Sequence, residues 1–264
     1  MKVGEAMRAL EPREARLLLA AATGFSEASV LAHPERELPA APAATFREYA
    51  ARRARGEPIA YILGTKEFYG LPLAVSPAVL IPRPETELLV ELALARKPAS
   101  VLDLGTGSGA IALALKRHLP AARVVAVERS VAALAVAQRN ALRLGLEVEF
   151  RHGLWFAPVA GERFDLAVSN PPYVAVGDPH LGQGDVRFEP RSALVAGADG
   201  LESIRAIVRD APGHLNPGGR LLLEHGLGQD AEVRKLLCEA GLEDIATWPD
   251  LAGIARVSGG GLKS

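Results

Sequence analysis

Apolar residues in the first quarter of the chain recur at the three- and four-residue spacing of amphipathic helices. This spacing predicts one helix over residues 3–22, which Gly24 can end in a left-handed conformation. A second short helix is predicted after an N-cap at Ser26, and a third is predicted to begin at Pro42. We therefore expect a small helical domain over residues 1–65.

The pattern changes after this helical region, where apolar and polar positions alternate over a short stretch. The stretch is broken by Gly70, Pro72 and Pro77, and it predicts a β-hairpin linker over residues 66–83. Pro84 then favours the start of a further helix, because its fixed φ suits the first helical position.

From residue 100 onward, short apolar runs alternate with longer amphipathic segments. The runs VLDL, RVVAVE, VEFRH, FDLAVS and GRLLLEHG predict five strands, and two further strands are predicted near Ile245 and Ile254. This alternation is typical of a mostly parallel sheet with helices on both faces. We expect an α/β domain with seven strands over residues 84–264.

The composition and charge of the chain limit the classes of function and of partner that we expect. The chain has 264 residues and a formal net charge of −1. This charge argues against a nucleic-acid partner bound through its phosphate backbone, since such binding usually needs an excess of basic residues. We interpret the local basic group Arg52, Arg53 and Arg55 as a solvated helix face. No apolar run reaches the length of a membrane span, and the start of the chain lacks the pattern of a signal peptide. We expect a cytoplasmic protein, with its one cysteine, Cys238, in the core.

The segment VLDLGTGSGAIALAL places Gly105, Gly107 and Gly109 between a buried strand and a helix. Glycines let the backbone turn sharply and let a ligand approach it closely. Asp103 would repel a pyrophosphate but would suit an ammonium group, such as the methionine end of S-adenosylmethionine. Glu128 ends the second strand, where its carboxylate can accept hydrogen bonds from both hydroxyls of a ribose. The alternative is a tight turn without a ligand.

The segment FDLAVSNPPYV carries the candidate chemistry at the end of another buried strand. The nitrogen of an amide or of a base amino group is a poor nucleophile, because its lone pair is delocalised. The Oδ1 atom of Asn170 and the carbonyl of Pro171 can each accept one N–H, which aims the nitrogen and stabilises its developing charge. Pro172 stiffens the turn, and Tyr173 can pack on a flat substrate. The alternative is a turn that only ends a strand.

These motifs resemble the N-methyltransferases that act on –NH₂ groups of bases or of glutamine. The helical domain and the segments YILGTKEFYGLPLAVSPAVLIPRPETELLVE and FEPRSALVAGADGL more specifically resemble the release-factor glutamine methyltransferases. The resemblance implies a Rossmann-like class I S-adenosylmethionine-dependent methyltransferase fold. It also implies methylation of the side-chain amide nitrogen (N5) of the Gln in the Gly-Gly-Gln motif of class I peptide chain release factors, with S-adenosylhomocysteine as the second product.

The same resemblance assigns roles to individual residues. It implies cofactor binding by Gly105, Thr106, Gly107, Ser108, Gly109, Glu128, Trp155 and Asn170, and substrate binding by Asn170, Pro171, Pro172 and Tyr173, with Asn170 as the catalytic residue and no metal. Leu154 departs from the family pattern, in which many relatives have a polar residue that bonds the adenine amine. Either a backbone group replaces that bond, or this loop aligns differently.

Two other functions fit parts of the sequence. The same Asn-Pro-Pro-Tyr segment could hold the exocyclic amino group of a flipped DNA or RNA base. Such an enzyme is expected to have a basic cleft, and the near-neutral charge of the chain counts against it. A non-catalytic protein that keeps the fold is the second possibility, and the intact Asn170 and glycine turn count against it.

Overall fold

The computed structural model describes residues 1–263, which divide into two compact units. The first unit contains Met1–Thr65 and also a distant short segment, Gly182–Phe188. The second unit contains Lys66–Leu181 and the residues that follow Phe188. The chain therefore enters the first unit twice.

Five helices build the first unit: α1 (Val3–Ala6), α2 (Pro12–Thr23), α3 (Glu27–Ala32), α4 (Ala40–Ala54) and α5 (Ile59–Leu63). The prediction of one helix over residues 3–22 is wrong. Pro12 cannot continue a helix from α1, because it has no N–H, and it starts α2 instead. The predicted helix end at Gly24 is confirmed, and its φ is 72°. The predicted start of the next helix at Ser26 is also confirmed, because the Ser26 side chain accepts a hydrogen bond from the Ser29 N–H.

Helix α4 begins two residues earlier than predicted. It starts at Ala40, after Pro39 in the N-cap position, so that Pro42 lies inside the first turn. A proline is tolerated there because the first-turn N–H groups have no partner within the helix. The buried face of this unit contains Leu18, Leu19 and Phe46.

Arg53 of α4 lies in a network of hydrogen bonds, and not on a solvated face as interpreted from the sequence. Its guanidinium donates to Glu14 at 2.7 and 2.9 Å, to Asp185 at 2.9 Å, and to the carbonyls of Gly56 and Glu57. Its side chain is 20 % exposed. The hydrogen bonds to Glu14 raise the pKa of Arg53 further above its usual value. The residue therefore ties two helices of the first unit to the segment Gly182–Phe188.

We expect Arg53→Met to lower the free energy of unfolding by about 1–3 kcal/mol, because two carboxylates and two carbonyls lose their donor. Chemical denaturation of the full chain measures this change. Arg47→Met is the matched control, since Arg47 is exposed on the same helix. Equal midpoints of unfolding for the two variants would contradict the role given to Arg53.

The second unit opens with the predicted hairpin, formed by β1 (Thr65–Phe68) and β2 (Leu71–Ala74). Tyr69 and Gly70 both have positive φ in its two-residue turn, as mirror-image hairpin turns require. A short 3₁₀ turn, Pro84–Thr86, then leads into α6 (Glu87–Ala95). The helix predicted at Pro84 thus begins with one tighter turn.

A seven-stranded sheet forms the centre of the second unit, as predicted. Its strands are β3 (Ser100–Leu104), β4 (Arg123–Glu128), β5 (Glu149–His152), β6 (Phe164–Ser169), β7 (Leu215–Glu224), β8 (Glu243–Pro249) and β9 (Ala255–Gly261). They lie in the order β5-β4-β3-β6-β7-β9-β8, and β9 alone runs antiparallel to its neighbours β7 and β8. The direction of winding reverses between β3 and β6. Open α/β sheets bind ligands at the carboxyl ends of strands at such a reversal.

Helices cover both faces of this sheet: α7 (Ala110–His118), α8 (Val131–Leu144), α9 (Glu202–Asp210) and α10 (Asp230–Glu239). Successive strand residues pack on opposite faces, so that Val124 belongs to one apolar cluster and Val125 to the other. The core prediction for Cys238 is wrong. Helix α10 buries Val233 and Leu237, and the cysteine lies outside that stripe and is exposed.

Candidate active site

The glycine turn between β3 and α7 needs glycine for its conformation and for its space. Gly105, Gly107 and Gly109 have φ values of 75°, 58° and 86°, which other residues rarely adopt. A Cβ atom on Gly109 would also lie 3.0 Å from Leu113 Cδ1 and 3.3 Å from Ala137 Cβ. The turn is therefore compact, and its conformation depends on glycine at these positions.

Asp103 stabilises this turn from its buried side. Its Oδ2 atom accepts from the Thr106 hydroxyl at 2.6 Å and from the Ala112 N–H at 3.2 Å. The side chain is fully buried, and burial raises its pKa to about 7 although both hydrogen bonds oppose that shift. The Oδ1 atom has no hydrogen-bond partner within residues 1–263, so the contact of Asp103 with a ligand ammonium stays a prediction.

Glu128 stands at the carboxyl end of β4, beside the turn. Its Oε2 atom accepts from the Gly107 N–H at 2.9 Å, and its Oε1 atom accepts from the Ser130 N–H at 2.8 Å. The two bonds fix the carboxylate in the wall of a cleft. Because each carboxylate oxygen has a second lone pair, the group can still accept two hydroxyl hydrogens from a ribose.

The cleft lies at the carboxyl edge of the sheet and brings together most of the residues predicted from the sequence. It is lined by Gly105, Thr106, Gly107, Ser108, Glu128, Trp155, Asn170 and Pro172. Gly109, Pro171 and Tyr173 do not line it. Pro171 is buried, and Tyr173 packs against the core on the α9–α10 side of the sheet. These three residues therefore support the wall from behind.

Trp155 forms an aromatic part of the wall. A Cβ atom on Gly105 would lie 3.4 Å from Trp155 Cζ3, so the indole lies directly over the glycine turn. Trp155 itself has a φ of 47°, which is uncommon for an aromatic residue. Leu154 also lines the cleft and is half exposed. This side of the cleft offers flat apolar surface and no polar side chain at position 154.

The amide of Asn170 is held in a defined direction. Its Nδ2 atom donates to the Thr86 hydroxyl at 3.0 Å, which leaves Oδ1 as an acceptor for a ligand. Ser169, one residue earlier, donates its hydroxyl to the Leu104 carbonyl at 2.6 Å and locks the end of β6 to β3. The acceptor oxygen therefore lies on a rigid edge, next to the glycine turn.

A buried carboxyl group lies behind this wall, and the sequence analysis missed it. Glu224 ends β7 and is 1 % exposed. Its Oε1 atom accepts a hydrogen bond at 3.4 Å from the Tyr173 hydroxyl, and its Oε2 atom has no partner within residues 1–263. Burial raises the pKa of Glu224 to about 7 and also raises that of Tyr173. The available signal was the run LLLE, in which a charged residue closes a buried strand at the edge that carries the cleft.

Glu189 is the second buried carboxylate that sequence reasoning missed. It accepts from the Arg83 guanidinium at 2.5 Å and from the Ile81 N–H at 3.2 Å. These contacts join the segment before α6 to the loop after β6. Both segments line the cleft, through Arg83 and Pro190. Arg83 thus shapes the wall through an ion pair whose acidic side chain has no solvent exposure.

Sequence models of two protein families match the chain. The PrmC N-terminal domain matches residues 4–64, and the methyltransferase small domain matches residues 84–183. The chain is 51 % identical to the release factor glutamine methyltransferase of Xylella fastidiosa, covering 95 % of this chain and 93 % of that protein. For the enzymes of the same name from Burkholderia pseudomallei and Pseudomonas aeruginosa, identity is 51 % and 53 %. The matches cover 96 % and 93 % of this chain, and 93 % and 90 % of those proteins.

Solved structures show the same fold. The 16S rRNA N2 methyltransferase of T. thermophilus, in complex with AdoMet and guanosine, is 25 % identical with a TM-score of 0.58, covering 75 % of this chain and 50 % of that chain. A methyltransferase from Pyrococcus furiosus is 20 % identical with a TM-score of 0.59, covering 82 % and 99 %. The fold of the second unit is therefore that of a methyltransferase.

Proposed function

Since this chain belongs to the release factor glutamine methyltransferase family, we propose that its substrates are class I peptide chain release factors. It transfers the methyl group of S-adenosylmethionine to the side-chain amide nitrogen (N5) of the Gln in their Gly-Gly-Gln motif and releases S-adenosylhomocysteine. The observation that carries the proposal is the oriented amide of Asn170, in the same cleft as the glycine turn and Glu128. The reaction takes place in the cytoplasm.

The residues of the cleft fit the cofactor by their chemistry. The carboxylate of Glu128 suits the ribose, the indole of Trp155 suits a flat heteroaromatic ring, and the turn at Gly105 admits close approach. The residues proposed to hold it are Gly105, Thr106, Gly107, Ser108, Gly109, Glu128, Trp155 and Asn170. When bound, the cofactor supplies an electrophilic methyl group on a sulfonium.

The role of the chain is to make a weak nucleophile attack in line. Asn170 Oδ1 and the backbone carbonyl of Pro171 accept the two N–H groups of the glutamine amide. Pro172 lines the cleft beside them, and Tyr173 supports this clamp from behind the wall. Two fixed acceptors orient the nitrogen and stabilise the positive charge that develops on it. No strong base is needed beforehand, because the extra proton leaves the nitrogen after the methyl group has arrived.

The division of labour along the chain follows from the same proposal. Residues 1–65 recognise the release factor, residues 66–83 link, and residues 84–264 catalyse. The match of the PrmC N-terminal domain to residues 4–64 supports a separate role for the first segment. A protein substrate also explains why a methyltransferase sheet carries a further helical module.

A radiolabel assay tests the substrate. We expect tritium to pass from labelled S-adenosylmethionine to a class I release factor, and label to be lost when the Gln of its Gly-Gly-Gln motif is replaced by alanine. Fragment mass spectrometry then locates the methyl group on that glutamine. Structured RNA and duplex DNA are tested in parallel as alternative methyl acceptors, because the T. thermophilus relative is an rRNA methyltransferase. Label that persists in the alanine variant, or that goes to nucleic acid, would overturn the proposal.

A further inference from the structure

The side chain of Gln229 joins the loop after β7 to the end of the Asn-Pro-Pro-Tyr segment. Its Nε2 atom donates to the Tyr173 carbonyl at 3.0 Å, and its Oε1 atom accepts from the Gly226 N–H at 2.8 Å. The same Nε2 atom lies 3.5 Å from the Asp199 carbonyl. The direction of this amide is therefore fixed, because two carbonyls face its –NH₂ end and an N–H faces its oxygen.

Helix capping does not explain this arrangement. Gln229 occupies the N-cap position of α10, where a side chain usually accepts from a first-turn N–H of its own helix. Within the described part of the chain, the Gln229 side chain makes no such capping bond. It instead holds a carbonyl that lies 56 positions earlier in the sequence, at the end of the proposed substrate clamp.

Two glycines leave the space that this contact needs. A Cβ atom on Gly200 would lie 2.3 Å from the Tyr173 carbonyl oxygen and 2.9 Å from Gln229 Nε2. A Cβ atom on Gly226 would lie 3.0 Å from Gln229 Oε1 and 3.3 Å from Tyr173 Cδ2. The Gln229 amide therefore fits closely between the two glycines, and a side chain at either position would displace it from Tyr173.

The segment that Gln229 holds cannot anchor itself through its own backbone donors. Pro171 and Pro172 have no N–H, so the segment is held through the residues at its two ends. At the first end, the Asn170 amide bonds a hydroxyl of the 3₁₀ turn before α6. At the second end, the Tyr173 carbonyl accepts from Gln229. The position of the Pro171 carbonyl, between these ends, depends on both of them.

We propose that Gln229 is a positioning residue for methyl transfer: by holding the Tyr173 carbonyl, it keeps the Pro171 carbonyl aligned with Asn170 Oδ1 as the second acceptor of the substrate amine. This inference rests on the proposed function for the two acceptors and for the substrate. Among residues 1–263, the lining of the cleft does not include Gln229. Its effect is therefore expected in turnover and not in cofactor affinity.

Two variants of Gln229 separate its two hydrogen bonds, with a release factor as substrate. Gln229→Glu keeps the size and the acceptor for the Gly226 N–H, but an ionised carboxylate cannot donate to the Tyr173 carbonyl. Gln229→Met keeps a similar length and loses both bonds. We expect kcat to fall about 10–100-fold in each, because a small displacement of an aligned group is costly. The KM for the release factor and the dissociation constant of S-adenosylhomocysteine are expected to stay close to those of the wild type. Gln138→Glu, which changes an exposed glutamine of α8, is the matched control.

The pH dependence of Gln229→Glu distinguishes positioning from general structural support. The carboxyl group that this change introduces can donate to the Tyr173 carbonyl only when it is protonated. An unperturbed glutamate has a pKa of about 4.3, and a facing carbonyl oxygen raises it, because it favours the protonated form. We therefore expect kcat of Gln229→Glu, relative to the wild type, to rise as the pH falls from about 8 to about 5.5. The same ratio for Gln229→Met is expected to stay constant.

Carbon-13 NMR of the same proteins separates a failure of this inference from a failure of the proposed function. The carbonyl signals of Tyr173 and Pro171 are expected to shift in Gln229→Glu and Gln229→Met, whereas the amide signals of the glycine turn stay in place. If the wild type does not methylate the release factor, the proposed substrate is wrong, and the Pro171 signal still decides whether Gln229 positions that carbonyl. An unchanged Pro171 signal, or wild-type kcat in both variants, would overturn the positioning role. So would a loss of kcat in Gln229→Glu that is equal at all pH values.

Discussion

Replacement of Asn170 by alanine is expected to lower kcat for methyl transfer by about 10²–10³-fold, as the loss of one oriented transition-state hydrogen bond does elsewhere. The amide oxygen acts on a charge that grows as the nitrogen attacks, so its removal raises the barrier more than it weakens substrate binding. Thr86 would lose its donor as well, but the glycine turn and Glu128 stay in place. We therefore expect cofactor affinity to stay close to that of the wild type.

Single-turnover kinetics with saturating cofactor measure the chemical step in this variant. Asn216→Ala is the matched control, because Asn216 lies at the opposite end of β7, where it bonds Asp165 at 2.8 Å. That control is expected to keep wild-type turnover. Near-normal turnover of Asn170→Ala would show that the acceptor geometry of the cleft does not drive the reaction.

The second large effect is expected from Glu128→Ala. Its carboxylate is proposed to accept from two ribose hydroxyls, and each hydrogen bond to a charged group contributes about 1.5–3 kcal/mol, so cofactor affinity should fall by about 10²–10⁴-fold. The change also leaves the N–H groups of Gly107 and Ser130 without their acceptor, which loosens the turn. Both the lost ribose contacts and the loosened glycine turn are expected to weaken binding of the cofactor.

Calorimetry with S-adenosylhomocysteine measures this loss directly. Glu147→Ala removes an exposed carboxylate from the loop before β5 and serves as the control. At saturating cofactor, Glu128→Ala is expected to recover much of the turnover, whereas Asn170→Ala is not. A Glu128→Ala protein that binds S-adenosylhomocysteine as tightly as the wild type would remove this residue from the cofactor site.

The central sheet could be predicted because parallel strands bury both faces and so read as continuous apolar runs. The predicted strands β4 and β6 match the structure residue for residue, and Glu128 and Asn170 lie at their carboxyl ends. The N-terminal helices were less predictable. Their apolar spacing continues through residues 3–22, although Pro12 interrupts the backbone between α1 and α2.

The polar contacts behind the cleft could not be predicted from the sequence in the same way. Thr86 lies 84 positions before Asn170, and Arg83 lies 106 positions before Glu189. Such pairs depend on two separate loops meeting, and a single polar residue in a loop leaves no periodic signal. Asp103 shows the opposite problem. Its position in the motif suggested a ligand contact, but the motif did not reveal that two local donors bond one of its oxygens inside the turn.

The membership of Gly182–Phe188 in the first unit has a consequence for engineering. A chimera that takes only residues 1–65 from a relative would pair a foreign α2 and α4 with the resident Asp185 and Arg187. The contacts that these two residues make with Arg53 and with the Arg55 carbonyl would then form only where the relative supplies equivalent groups. Exchange of the first unit therefore requires two grafts, one at the start of the chain and one in the loop after β6.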